Sequence, residues 1–256
     1  MSGRGRLVIL SGPSCVGKSP LEKALARHFP ELRRGLQPLV LYNDRAPRPG
    51  EVDGVDYHFR SRAEVEALRD EARHVVIDVR GDLQALDLEA LEDGLDRGDV
   101  LFEGNPFVGR ILQTHPGLDH VTRLGAFMAP LSREEILHLR ERGADLPALV
   151  TDVMRRKLLR RTRRQKGEPS LRDLENVEKR AGSAYRELTE AHHFAWVLPN
   201  HDGEDSENWD AFYHVLGDAR RALLSFVALL EGRDPPWGER WEADLLPEPP
   251  EGRRST

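Results

Sequence analysis

An octapeptide near the start of the chain constrains its fold more than any other feature. It reads Gly12-Pro13-Ser14-Cys15-Val16-Gly17-Lys18-Ser19, and it lies between the apolar run 7–10 and a helix-like stretch. This is the G-x-x-x-x-G-K-[ST] pattern in the strand–turn–helix setting of a phosphate-binding loop (P-loop). Backbone N–H groups and the positive end of the helix dipole would cradle phosphate oxygens there. The pattern predicts a nucleoside-triphosphate site, with Lys18 on the β- and γ-phosphates and the Ser19 hydroxyl on Mg²⁺.

Two residues of this loop region are unusual. Pro20 follows Ser19 and fits the first turn of a helix, but it lacks an N–H that could donate near the α-phosphate. We therefore expect weaker nucleotide binding. Cys15 is the only cysteine of the chain. It is either a small loop residue or, less favoured, a redox-sensitive thiol.

The pattern along the chain predicts strands alternating with helices. We predict strands at 6–11, 38–42, 74–79, 99–103, 120–128 and 193–198. We predict helices at 20–29, 63–72, 86–97, 106–114, 132–142, 146–166, 170–191 and 206–231. This order indicates an α/β protein with the P-loop NTPase fold, in which helices flank a mostly parallel sheet. Ligands are then expected at the carboxyl ends of the strands.

Composition narrows the setting in which the protein works. The chain has 256 residues, a formal charge of −6 and 39% hydrophobic residues, which suits one α/β domain. A lone cysteine excludes an internal disulfide and suits the reducing cytoplasm. Since no apolar run approaches the length of a membrane span, no membrane contact is expected. Residues 233–256 are rich in proline and are predicted to form a C-terminal tail, which Trp237 and Trp241 hold against the body or a neighbour.

A second motif follows the P-loop. It reads Arg45-Ala46-Pro47-Arg48-Pro49-Gly50-Glu51-Val52-Asp53-Gly54-Val55-Asp56-Tyr57-His58-Phe59. Two arginines on a proline-stiffened loop suit a bidentate grip on a phosphate or carboxylate, although a solvated basic turn is the plainer interpretation. The segment closely resembles the acceptor-binding segment of the guanylate kinases, R-x-P-R-x-G-E-x-x-G-x-D-Y-x-F.

Three further stretches are similar to the same family. They are Val177-x-x-Arg180-x-x-x-Ala184-x-x-Glu187-Leu188, the late strand Trp196-Val197-Leu198-Pro199-Asn200, and the start of the lid at Arg140-Glu141-Arg142-Gly143. The resemblance implies a guanylate-kinase-like domain over residues 1–232, with an acceptor-binding insert at about 42–98. It also implies an enlarged helical lid at about 132–185.

The resemblance carries site residues with it, position by position. The acceptor site would include Arg45, Arg48, Tyr57, Glu103 and Asn105, the first three of them on the acceptor phosphate. The catalytic residues would be Lys18, Arg140, Arg142 and Arg180, whose three arginines close over the transferring phosphoryl group. Asn200 would lie near the adenine of ATP, and Glu103 would hold the water shell of Mg²⁺. ATP and Mg²⁺ are the implied cofactors.

The chain departs from the family where the acceptor base would be recognised. Val75 occupies the position of a family glutamate, Leu86 that of a small hydroxyl residue, and Gln84 that of a tyrosine. Valine leaves the N–H donors of guanine unpaired, at a cost of about 1–3 kcal/mol. We therefore expect a phosphorylated small-molecule acceptor of the nucleoside monophosphate class, but not safely GMP.

A basic run lies inside the enlarged lid. Residues 155–166 carry eight positive charges in twelve residues. One interpretation is a solvated helix that nearby acids neutralise; the other is an anionic or nucleic-acid contact. Three functions thus remain open: a small-molecule kinase, which we favour, a non-catalytic binding module of the same fold, and a kinase for a larger phosphate-bearing substrate.

Overall fold

The fold is built on a buried, fully parallel sheet of five strands. In this computed structural model, which describes residues 4–48 and 50–248, the strand order is β2-β7-β1-β8-β9. The strands are β1 (Leu7–Ser11), β2 (Leu36–Pro38), β7 (Asp99–Gly104), β8 (Arg123–Ala129) and β9 (Trp196–Pro199). Every residue of β1 is buried, as its continuous apolar run predicts for a central strand.

A second sheet of four strands forms an insert between β2 and β7. Its order is β4-β3-β6-β5, with strands β3 (Leu41–Asn43), β4 (Tyr57–Phe59), β5 (His74–Val79) and β6 (Asp82–Asp87). Only β3 and β4 are parallel in this sheet. Below, "the insert" means residues 41–87.

Ten α-helices surround the sheets in the described part of the chain. They are α1 (Lys18–His28), α2 (Pro30–Arg34), α3 (Arg62–Ala67), α4 (Leu88–Arg97), α5 (Pro106–Thr114), α6 (Arg133–Glu141), α7 (Leu146–Lys166), α8 (Leu171–Gly182), α9 (Ala184–Leu188) and α10 (Gly217–Leu230). The α/β architecture with a mostly parallel sheet confirms the predicted fold class. None of these helices is long and apolar enough to cross a bilayer.

Several predicted elements were wrong. The strand expected at 38–42 is two strands in different sheets, and β6 was not predicted at all. The helix expected at 206–231 begins only at Gly217. Before it, the Asp202 carboxylate accepts hydrogen bonds from Ser206 Oγ at 2.8 Å and Asn208 Nδ2 at 2.9 Å, which fold residues 202–216 into a loop.

Residues 233–248 pack against the body of the domain. Glu239 and Val197 exchange two backbone hydrogen bonds of 2.8 Å, so the tail adds a bridge to the edge of β9. Trp241 is buried, whereas Trp237 is 45% exposed. The end of the predicted tail, 249–256, lies outside the described residues.

Candidate functional site

The P-loop connects β1 to α1 at the carboxyl edge of the parallel sheet. Its backbone passes through positive φ at Gly12 (150°), Cys15 (69°) and Gly17 (111°), and α1 then starts at Lys18. A Cβ on Gly17 would meet Asn200 Nδ2 at 2.6 Å, so only glycine fits there. The wrapped turn and the helix N-terminus aim backbone N–H groups at one point, which is the geometry of a phosphate cradle.

Lys18 folds back over this loop. Its Nζ donates to the carbonyl oxygens of Gly12 at 2.8 Å and Pro13 at 3.0 Å. Burial lowers the pKa of the Lys18 ammonium, while the carboxylates of Glu103 and Glu204 act in the opposite direction. A buried ammonium that only neutral carbonyls contact is available to a phosphate that enters the loop.

Ser19 and Glu103 meet beside the loop. Ser19 Oγ, in the first turn of α1, donates to Glu103 Oε1 of β7 at 2.9 Å. Burial and the neighbouring Glu22 raise the pKa of Glu103 to about 7, although Lys18 opposes the change. Since the described residues contain no cluster of three or more His, Cys, Asp or Glu side chains able to hold a metal, Mg²⁺ would need water and phosphate ligands as well. A hydroxyl beside a carboxylate fits that mode of binding.

Two asparagines at the same edge are engaged in internal hydrogen bonds. Asn200 Nδ2 donates to the carbonyls of Val16 and Asp202, both at 2.7 Å, and the side chain is fully buried behind the P-loop. Asn105 caps α5 through the backbone N–H of Phe107 at 2.9 Å, and its Nδ2 donates to a carboxylate of α9. Both asparagines therefore stabilise the frame of the site.

Arginines from four segments converge above the P-loop. Arg180 Nε and Arg80 Nη2 each donate to Ser14 Oγ at 3.0 Å. Burial, followed by the charges of Arg161, Arg48 and Arg80, lowers the pKa of Arg180 to about 9. Within residues 4–48 and 50–248, no carboxylate forms an ion pair with Arg180. Arg180 is half-buried, and its positive charge beside the loop is one that an anion would compensate, whereas Arg80 and Arg161 already pair with carboxylates.

The side chains predicted to bind the acceptor phosphate lie close together, but one of the two arginines is paired with a carboxylate of the same segment. Arg45 forms a bidentate ion pair with Glu51, with N–O distances of 2.6 and 2.7 Å, and its guanidinium lies 5.1 Å from the centre of the Tyr57 ring. Although burial alone would raise it, the pKa of Glu51 is lowered because Arg45 donates to it. The backbone N–H of Arg48 donates to Glu51 at 2.7 Å, but its guanidinium lies 3.9 Å from that carboxylate and is the more available of the two.

The two arginines at the start of the lid lie elsewhere. Arg140 donates to the carbonyls of Asp244 at 3.0 Å and Leu245 at 2.8 Å, so it holds the C-terminal tail. Arg142 is exposed at the C-terminal end of α6. The structure does not bring either side chain into contact with the P-loop, unlike Arg180.

Most cations of the basic run on α7 are neutralised by carboxylates of this same chain. Six of its eight cations pair with carboxylates, in the pairs Arg155–Glu178, Arg156–Asp152, Arg160–Asp205, Arg161–Glu204, Arg164–Glu207 and Lys166–Asp173. Lys157 donates to the carbonyl of His201. The run therefore docks α7 onto the loop that follows β9, and this pairing removes the reason to expect a nucleic-acid contact.

Sequence reasoning missed two cations of the site. Arg80 lies in the turn between β5 and β6, where no motif marks it, and Arg161 was hidden within the basic run. Their partners are distant in sequence: Glu187 is fully buried and Glu204 is half-buried. The sequence signal for Arg80 was weak: it directly follows the strand predicted at 74–79 and directly precedes Gly81.

Comparison with known proteins finds guanylate kinases. A sequence model described as guanylate kinase matches residues 4–84. A guanylate kinase of Mycolicibacterium paratuberculosis is 36% identical over 58% of this chain and 66% of its own length. One of Nitratidesulfovibrio vulgaris is 32% identical over 76% of this chain and 79% of its own. The crystal structure of guanylate kinase from Anaplasma phagocytophilum aligns with a TM-score of 0.48 at 17% identity, over 90% of this chain and 86% of that one. The chain belongs to the guanylate kinase family, a family of nucleoside-monophosphate phosphotransferases.

Proposed function

We propose that this chain transfers the γ-phosphoryl group of ATP to a phosphorylated small molecule, most simply a nucleoside monophosphate. The observation that carries the proposal is the uncompensated charge of Arg180 beside the Ser14 hydroxyl. A non-catalytic scaffold would have no use for a half-buried arginine whose unpaired charge destabilises the empty protein.

The residues of the site would divide the work of phosphoryl transfer. The P-loop backbone and Lys18 would bind the β- and γ-phosphates, and Ser19 with Glu103 would orient Mg²⁺ and its water shell. Bound Mg²⁺ supplies neutralisation of phosphate charge. An oxygen of the acceptor phosphate attacks the γ-phosphorus, the bond from that phosphorus to the bridging oxygen breaks, and ADP leaves. Arg180, with Arg48 nearby, would stabilise the charge that spreads over the transferring group.

How the protein recognises the base of the acceptor is a separate part of the proposal. Val75 and Leu86 are direct partners across β5 and β6, and both contact the main core rather than the outer cluster formed by Leu83 and Ala85. The face that would meet the base is therefore aliphatic where the family has a carboxylate. The polar residues of this face are Asn43 and Gln84, which lie opposite each other on β3 and β6.

These amides favour a different base edge. Both side chains are buried, and Asn43 Nδ2 has no hydrogen-bond partner among the residues that the structure describes. An amide offers one donor beside one acceptor, so it cannot accept from both neighbouring N–H donors of guanine as a carboxylate does, whereas it complements the donor–acceptor edge of adenine. We therefore propose that GMP is not the preferred nucleotide.

The test is turnover with a panel of acceptors. Purified protein is mixed with ATP, Mg²⁺ and AMP, CMP, UMP, dTMP, GMP or a sugar phosphate, and ADP release is followed. We expect one acceptor to exceed GMP by at least about tenfold, the discrimination of one mispaired polar contact. Normal ATP binding without turnover of any panel member would refute the nucleotide proposal.

A further inference from the structure

The turn between β5 and β6 carries an arginine that turn chemistry disfavours. Val79 pairs with Asp82, so Arg80 and Gly81 form a two-residue hairpin, with φ of 60° and 86°. Both central positions of such a turn need positive φ, which asparagine, aspartate and glycine adopt most readily. An arginine with positive φ strains the backbone, so we expect contacts of its side chain to offset that strain.

That side chain joins three parts of the protein. Arg80 Nε donates to Glu187 Oε1 on α9 at 2.5 Å and to Ser183 Oγ at 2.8 Å, and Nη2 donates to Ser14 Oγ of the P-loop at 3.0 Å. Glu187 is fully buried, and its Oε1 also accepts from Asn105 Nδ2 at 3.1 Å. A single guanidinium thus connects the tip of the insert, the helix after the lid and the nucleotide loop.

The contact also fixes the Ser14 hydroxyl. Its oxygen accepts from both Arg80 and Arg180, which uses its two lone pairs. The hydroxyl proton then remains as the donor of the Ser14 side chain, and the phosphate cradle is where a new acceptor would enter. Arg80 therefore acts on the nucleotide site although it belongs to the acceptor-binding insert.

We propose that Arg80 is a positioning residue that latches the insert onto the P-loop, so that docking of the insert completes the phosphate site. The part of this inference that concerns turnover rests on the proposed function. Binding and hydrogen exchange test the latch without it. Loss of the latch should weaken the nucleotide site about 10- to 100-fold, the effect of one charge-assisted hydrogen bond.

The test uses Arg80→Asn, because asparagine relaxes the turn while it removes the guanidinium. If Arg80 served only the hairpin, this variant would be neutral or more stable. We expect faster hydrogen exchange in residues 12–18 as well as in the hairpin, and weaker binding of Mg²⁺ with a non-hydrolysable ATP analogue. Arg73→Asn is the matched control, since Arg73 is an exposed arginine of the same insert that pairs with Glu71 and Glu89.

The buried carboxylate requires a second variant. Arg80→Asn leaves Glu187 without its cation, so the double variant Arg80→Asn/Glu187→Gln removes both charges and protects the fold. The proposal predicts that the double variant melts near the wild type but still shows the fast P-loop exchange and the weak analogue binding. Exchange and binding within twofold of wild type, in either variant, would overturn it. Wild-type protein without turnover of any acceptor would instead refute the proposed function and leave the latch to these two measurements.

Discussion

Removal of the Arg180 charge should stabilise the empty protein and abolish most of its activity. Burial and three neighbouring arginines hold the pKa of Arg180 well below the ordinary value of arginine, at about 9. A pKa lowered by this much sets an upper limit of about 5 kcal/mol on the free energy by which the Arg180 charge destabilises the folded state. Arg180→Gln also loses the 3.0 Å hydrogen bond to Ser14 Oγ, worth about 1 kcal/mol, and part of its packing.

We expect a net gain of about 1–2 kcal/mol, because solvent screening and relaxation reduce this upper limit. For a protein of this size, the gain raises Tm by about 2–8 °C. The same substitution should lower kcat by about 10²–10³, the typical loss when one charge-stabilising donor is removed. Thermal unfolding and ADP release measure the two effects on the same preparation.

The control is Arg172→Gln, an exposed arginine on the same helix. Its Tm should stay within about 2 °C of the wild type, as surface substitutions usually do. Inorganic sulfate should raise the Tm of the wild type more than that of Arg180→Gln, since only the wild type keeps the full anion site. A lower Tm with unchanged kcat in Arg180→Gln would show that Arg180 is a structural residue and would refute the reasoning.

Three further predictions follow from particular side chains. The raised pKa of Glu103, about 7, means that the folded empty protein holds its proton more tightly than the unfolded chain. This contribution to stability is therefore complete below the ordinary carboxyl pKa and is lost as pH rises through 7; Glu103→Gln should flatten the Tm–pH profile there, and an unchanged profile would contradict the assignment. Arg140→Gln should cost about 1–2 kcal/mol of stability, because two hydrogen bonds to the tail are lost, yet leave kcat within about threefold; a hundredfold loss of kcat would return Arg140 to the catalytic machinery. Cys15 is buried and its pKa is raised to about 12, first by burial and then by Glu204, so iodoacetamide at pH 8 should modify it only after unfolding. Rapid labelling of the native protein would contradict this burial.

Local signals in the sequence predicted the parts of the site that local chemistry controls. The P-loop was predictable because its glycines, lysine and serine must follow a strand and open a helix within eight residues. The bounds of α7 were predicted at 146–166, where Asp145 caps the helix start and Gly167 ends it. Each of these features depends on residues close together in the chain.

Other features depend on contacts between distant segments, and no local sequence pattern indicates them. The hairpin strand β6 was missed because its residues Leu83 and Ala85 pack outward onto a small separate cluster while Leu86 packs inward. The helix predicted over 170–191 is interrupted at Ser183, whose hydroxyl serves Arg80 and Glu187. From the sequence, the basic run on α7 suggested contact with an external anion as one alternative. The fold shows that acids of a loop more than forty residues away help to neutralise it, as in Arg161–Glu204.

The most direct test of the account is to observe where the γ-phosphoryl group goes. Protein, ATP, Mg²⁺ and the best acceptor of the panel are followed by ³¹P NMR, beside Lys18→Ala and beside a sample without acceptor. The account predicts the signals of a nucleoside diphosphate formed from the acceptor in step with ADP, reduced at least about a hundredfold in Lys18→Ala. Inorganic phosphate in place of a phosphorylated acceptor, or equal rates in the wild type and Lys18→Ala, would contradict it.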